Sequence, residues 1–345
     1  MGKGQFVPQR VFVQKEALDY EKGKRLVEEL RSQGIPLSVY KRRLPAVSFS
    51  NPRARFLALK RVLVVGVWAG REFQSCKPSA HYQLPLISGC PGLCEYCYLN
   101  TNLGGRPYVR VYVNTEEILA RARDYAIKRR PEVTIFEGSA TSDPIAVEGW
   151  TGSLAEAITF FAQLEEARFR FVTKYTDVNG LLELDHRGKT EIRFSLNAGR
   201  VISKFEKGVP SLAQRLVAVR NVARSGYPLG ILIAPIFLFT GWQAEYQHLL
   251  ITLRHHLADT GVGADGRTLT FELISHRFTS RAKTLIQEVY PETELPLAEE
   301  ERRFKYGQFG YGKFLYPPEE MQKMEEWFRS QLERFFPGAK VLYFV

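Results

Sequence analysis

From about residue 82 onward, short apolar runs alternate with longer stretches in which apolar residues recur every three or four positions. Runs at 83–87, 133–137, 170–174, 191–196, 230–236 and 268–274 have the length and the branched or aromatic content of buried strands. Between them the helical period predicts helices over 115–129, 153–167 and 242–258, and another from Pro210 and Ser211 to 223. Asn114 stands where an N-cap is wanted, with Glu117 three residues on. Alternating strands and helices with right-handed crossovers predict an α/β fold, a partial (β/α)6 TIM-like barrel whose chemistry lies at the C-terminal ends of its strands.

Residues 1–80 read as a small N-terminal α/β region, with extended runs at 11–14 and 35–40 around a helix over 20–33. The stretch RVLVVGVWAG, 61–70, has a strand followed by Gly66 and Gly70, but it lacks the G-x-G-x-x-G spacing of a dinucleotide turn. The barrel is expected over 81–276. After it, 277–345 reads as an extension. RRFKYGQFGYGKFLY, 302–316, interleaves basic and aromatic residues around Gly307, Gly310 and Gly312 and predicts a β-hairpin. Pro317 and Pro318 then open a helix in which Met321, Met324, Phe328, Leu332 and Phe335 recur at helical spacing and form a core stripe.

Length and composition fit this picture, since 345 residues, 45% of them apolar, can bury a sizeable core. No apolar run is long enough to span a membrane, and MGKGQFVPQR lacks the apolar core of a signal peptide, so a cytoplasmic protein is expected. Lys and Arg number 48 against 37 Asp and Glu, a formal charge of +11, which favours a polyanionic partner.

The chain has only four cysteines, and Cys90, Cys94 and Cys97 form a CxxxCxxC run in the loop leaving the first barrel strand. This grouping is unlike a disulfide framework and points to ligation. Iron–sulfur cubes usually take four thiolates. Three leave one iron open to a chelating amine and carboxylate, such as those of S-adenosylmethionine, the arrangement of radical S-adenosylmethionine enzymes. The cofactors expected are therefore a [4Fe-4S] cluster and S-adenosyl-L-methionine. A zinc site is the rival, with Cys76 or His81 as a fourth ligand, but zinc sites are dominated by CxxC pairs. Cys76 itself reads as a bystander.

The strings SGCPGLCEYCYLNTN, EGSATSDP, TKYTDV and RFSLNA, with the RRFKYGQ segment, resemble the spore photoproduct lyases, and the similarity runs through essentially the whole chain. The resemblance implies an enzyme that repairs the spore photoproduct, two adjacent thymines joined by a methylene bridge, using a 5′-deoxyadenosyl radical. It implies that Cys90, Cys94 and Cys97 hold the cluster and that Ser142, Asp143, Lys174, Ser195 and Ala234 bind S-adenosylmethionine. Tyr96 and Tyr98 would lie against the cofactor and pass a hydrogen atom. One position departs: the family pattern has a hydrogen-donor cysteine inside EGS-x-TSDP, and here that place holds Ala140. A methyl group cannot quench the product radical, so either the chain is an altered one or it quenches differently.

The implied partner is double-stranded DNA carrying the lesion, together with an electron donor for the cluster. Stacked bases cannot reach a buried cluster, so the lesion must be extruded. Arg302, Arg303, Lys305, Tyr306, Lys313 and Tyr316 of the expected hairpin would grip phosphates and fill the gap. Two other classes stay open from the residues alone: a DNA-binding iron–sulfur redox sensor that never cleaves S-adenosylmethionine, and a radical enzyme acting on a protein or tRNA.

Overall fold

The computed structural model describes residues 6–45, 49, 51–263, 268–306 and 312–345. Its strands are β1 (Arg10–Gln14), β2 (Leu37–Tyr40), β3 (Val62–Gly66), β4 (Ser75–Cys76), β5 (Ala80–Leu84) and β6 (Ile87–Ser88). They continue as β7 (Leu93–Cys94), β8 (Val109–Tyr112), β9 (Thr134–Gly138), β10 (Ala167–Thr173), β11 (Thr190–Leu196) and β12 (Glu206–Lys207). The last are β13 (Leu229–Ile236), β14 (Thr270–Ser275), β15 (Arg303–Tyr306), β16 (Gly312–Leu315) and β17 (Lys340–Phe344). Five of the six strands predicted from the apolar runs are thus present, as β9, β10, β11, β13 and β14, while the run at 83–87 straddles the end of β5 and the start of β6.

The chain divides into two compact units, one of residues Met1–Pro91 and Leu103–Glu191, the other of Gly92–Asn102 and Ile192–Val345. These boundaries differ from a division at 80 and 276. The first unit holds the ordered run β2-β1-β3-β8-β6, parallel except where β6 meets β8. The N-terminal region therefore does not close at residue 80, because two of its five strands come from beyond that point. The same unit also carries β4-β5-β9-β10, in which β5, β9 and β10 run parallel and β4 folds back antiparallel at the edge. Phe136 and Phe169 point from this sheet onto Phe161 of the helix Ser153–Ala162, with the Phe161 and Phe169 rings stacked at 5.2 Å. Each buried phenylalanine contributes about 1.5–3 kcal/mol. That helix is shorter than expected, since Ala167 already begins β10.

The second unit is built on β11-β13-β14-β17, all parallel, with β7 paired to β12 and β15 to β16. The parallel strand β17 adds to the predicted set. The helix Leu212–Arg224 starts at Ser211 with a full capping box, Ser211 and Gln214 bonding each other's backbone N–H. Asn114 behaves otherwise. It precedes the helix Thr115–Lys128 but makes no side-chain cap, because its amide is spent on both backbone groups of Trp68 and on Glu117. In the helix Pro318–Phe335, Met324, Phe328, Leu332 and Phe335 are buried and Met321 only partly so. Among the described residues no helix is long and apolar enough to cross a membrane.

Candidate functional site

In the first unit, β9 ends in a tight turn that carries Ala140, Ser142 and Asp143. Gly138 is required there, because a Cβ would lie 2.7 Å from the Phe169 ring. Ser139 then adopts φ 57°, a left-handed backbone that costs a non-glycine residue free energy. Its surroundings hold it: its N–H donates to Leu84 O at 2.9 Å, and its Oγ accepts from Ile87 N at 3.0 Å.

This turn is tied to the loop that enters the cysteine run. Gly89 N donates to Thr141 O at 2.9 Å, and Ser142 Oγ donates to Gly89 O at 2.5 Å. Gly89 has φ 78°, and a Cβ there would meet Tyr108 O at 2.1 Å, so only glycine fits. One residue on, the Cys90 carbonyl accepts from Lys60 Nζ at 2.8 Å. Asp143 reaches the end of the neighbouring strand, accepting from Thr173 Oγ1 at 2.6 Å and from Lys174 N at 2.7 Å. The unit thus gathers Cys90, Ala140, Ser142, Asp143 and Lys174 at the C-terminal ends of β5, β9 and β10. The Asp143 carboxylate anchors Lys174 there through the Lys174 backbone.

In the second unit Cys94 and Cys97 lie in a turn closed by Cys97 N donating to Cys94 O at 3.2 Å, and Asn100 Nδ2 also donates to Cys94 O. Tyr96 OH donates to Glu206, Arg215 Nη2 stands 2.6 Å from Glu206, and Arg215 Nη1 donates to Ser195 O at 3.1 Å. Burial and the Glu206 carboxylate hold the Tyr96 phenol well above its ordinary pKa, so it keeps its O–H. Sequence reasoning missed Glu206 and Arg215. The signal for Arg215 was a charged residue on the same helical face as Leu216 and Val219, both buried. Ala234 lies on β13, two residues past Leu232, the register partner of Ser195. Tyr98 begins the helix Tyr98–Asn102 and is 58% exposed.

The chemistry of the donor set fits a three-thiolate cluster. None of the cysteines is in a disulfide, and Cys94 is buried while Cys90 and Cys97 are half-buried. Among the described residues no three His, Cys, Asp or Glu side chains already converge on one point, so the fit rests on residue type and spacing.

The expected hairpin forms as β15 and β16, with Gly307 and Gly310 outside the described residues. Its six predicted DNA contacts separate into two sets. Arg303, Lys305 and Tyr306 are exposed, Tyr306 at 76%, and Lys313 is half-buried. Tyr316 is buried with its hydroxyl accepting from Leu238 N, and the Arg302 guanidinium lies 3.6 Å from its ring centre while donating to His276 O. Arg302 and Tyr316 therefore hold the hairpin's base. A feature the sequence did not suggest is a cleft of about 750 Å³ in the first unit, into which Lys41, Arg42, Arg43, Arg55, Arg106 and Arg110 converge from well-separated stretches of chain.

Comparison with known proteins bears on all of this. The spore photoproduct lyase family model matches residues 6–345. The spore photoproduct lyase of Clostridium acetobutylicum is 43% identical over 337 residues, 97% of this chain and 98% of that one. That of a Geobacillus species is 44% identical over 341 residues, 98% of this chain and 99% of that one. A solved spore photoproduct lyase with bound AdoMet and dinucleoside spore photoproduct superposes with a TM-score of 0.95 at 44% identity, covering 99% of each chain. In that protein alanine replaces a cysteine at position 140 and cysteine replaces a serine at position 76. The match carries with it the mixed α/β, partial-barrel fold that the strand pattern predicts.

Proposed function

The chain belongs to the spore photoproduct lyase family, and from that premise we propose how its own residues repair the lesion in duplex DNA. It is a radical S-adenosylmethionine lyase that returns the spore photoproduct to two thymines, with a [4Fe-4S] cluster and S-adenosylmethionine as cofactors. The observation that carries the assignment of residues is the Gly89–Ser142 link, which fixes the turn of Ala140 to Asp143 against the loop entering Cys90.

Cys90, Cys94 and Cys97 hold the cluster. Lys174 supplies a cation for the carboxylate of S-adenosylmethionine, Ser142 and Ser195 supply polar groups for its amine and ribose, and Ala234 leaves space for the adenosine. Held by these residues and reduced by an outside electron donor, the cofactors would supply the one-electron chemistry that starts hydrogen abstraction from the lesion. Asp143 keeps Lys174 in place, and the Glu206–Arg215 pair keeps Tyr96 and Ser195 in place. Tyr96 and Tyr98 pass hydrogen through their phenols.

Arg303, Lys305 and Lys313 of the hairpin grip phosphates while Tyr306, the most exposed of the aromatic side chains among the described residues there, enters the gap left in the stack. The basic cleft of the first unit takes backbone phosphates away from the lesion.

The test is anaerobic turnover on a dinucleotide lesion and on lesion-bearing duplex. The expected result is 5′-deoxyadenosine together with loss of the lesion. Cofactor cleavage indifferent to the lesion would point to another substrate, and DNA binding without cleavage would point to a redox sensor.

A further inference from the structure

We propose that the basic cleft of the first unit is a second DNA-anchoring site, which holds a run of consecutive backbone phosphates whether or not the duplex carries a lesion. The proposal rests on the lyase reading above for the identity of the polymer.

The cleft stands where an open parallel sheet makes room for a ligand. Strands β2, β1, β3 and β8 run parallel, so Gln14, Tyr40, Gly66 and Tyr112 end them along one edge. The chain leaves β1 toward β2 on one side and leaves β3 toward β8 on the other. A crevice opens past the carboxyl ends of two neighbouring strands whose connections depart in opposite directions in this way. Gln14 and Val67 line it, and the two are joined where Val67 N donates to Gln14 Oε1 at 3.1 Å.

The lining is built for negative charge. Lys41, Arg42 and Arg43 follow β2 directly, and Leu44 packs against the core cluster of Phe12, Val62, Val64 and Tyr108, which pins that basic run at both ends. Arg55 Nη2 donates to Gly105 O at 3.1 Å, and Arg110 Nη2 donates to Tyr108 Oη at 3.1 Å, so two guanidinium groups are oriented in advance. Arg106 is exposed beside them. Among the described residues no carboxylate lines the cleft, and none of these six cations makes an ion pair. Unopposed like charges cost a fold stability, and a polyanion relieves that cost.

The same residues choose between a free nucleotide and a strand of DNA. A free pyrophosphate is usually cradled by backbone N–H groups where a glycine-rich turn opens a helix. Here 61–70 lacks that glycine spacing, and β3 leads on to β4 with no helix between them. The donors are instead side-chain cations spread over separate stretches of chain, which suits phosphates spaced along a backbone. Such contacts fix position and read neither sequence nor lesion. The dinucleotide lesion, with no flanking backbone, cannot fill the cleft.

The test uses cluster-loaded protein with S-adenosylmethionine, unreduced for binding and reduced for turnover. Arg42→Gln, Arg43→Gln and Arg106→Gln are made singly and together, leaving the hydrogen-bonded Arg55 and Arg110 in place. Each single change should lower the slope of log K against log salt by about one unit, equally for intact and lesion duplex. In the combined variant the ratio of kcat/KM on lesion duplex to kcat/KM on the dinucleotide should fall severalfold, through KM. Its melting temperature without DNA should equal or exceed the parent's, since repulsion has been removed. Salt slopes equal to the parent's in all three single variants would overturn the proposal, as would slopes that fall for lesion duplex alone. ATP that raises the melting temperature of the parent but not of the variants, with the slopes unmoved, would make the cleft a free-nucleotide site and overturn it too. A parent that shows the expected slopes yet forms no 5′-deoxyadenosine and consumes no lesion would support the anchoring site and overturn the lyase reading instead.

Discussion

Cys94 shows what a single residue can carry, because its carbonyl accepts from Cys97 N and Asn100 Nδ2 and so shapes the turn, while its thiol is the group whose chemistry suits a metal. Replacing Cys94 by alanine should therefore leave the local turn intact and abolish iron loading, which colour and metal analysis after anaerobic reconstitution will read. The cysteine run was legible from spacing alone. Glu148 was not, because its chemistry comes from enclosure. Burial lifts its carboxyl to about 7, against hydrogen bonds from Leu154 N and Ala155 N and the nearby Lys22 that pull it down. A carboxyl raised on folding stabilises the protein below the ordinary carboxylate range, and that contribution is lost as pH climbs through about 7. Stability should thus fall from pH 5 to 7.5, by at most about 3 kcal/mol from this group. Denaturant midpoints across that range should show the slope, and Glu148→Gln should flatten it.

At the scale of elements, the hairpin separates grip from insertion. Lys305→Ala should weaken binding to intact and lesion duplex alike and lower the salt slope by about one unit of log K per log salt. Tyr306→Ala should hurt lesion duplex more than intact duplex, and titration of both duplexes at several salt concentrations separates the two. If neither change alters binding to lesion DNA, the hairpin is not the wedge. Element types were readable wherever an apolar period ran for a dozen residues, as in the helices Leu212–Arg224 and Trp242–Leu257. They were less readable where side chains met distant backbone. Asn114 looked like a cap and instead clasps Trp68, and Arg302 and Tyr316 looked like nucleic-acid contacts and instead stack beneath the hairpin. Such pairings depend on a partner far away in the chain, which no local pattern encodes.

On the scale of the whole molecule, the family and the chemistry were legible, and the division of the chain was not. The barrel strands announced themselves by hydrophobic period, yet both compact units draw on separated stretches, the segment 92–102 belonging with residues beyond 191. Strand β17 is a further instance. It pairs in parallel with β14 along Thr270 to Leu273, and Val345 N donates to Leu273 O at 3.0 Å. Until residues 340–345 have been synthesised, one side of β14 presents unpaired N–H and C=O groups beside buried Phe271 and Leu273, and a bare strand edge of this kind recruits other chains. A polypeptide stopped before residue 340 should consequently be recovered in aggregates rather than as a weakened enzyme, as size-exclusion chromatography of the shortened chain would show, so the quality of its production hinges on whether this strand is present.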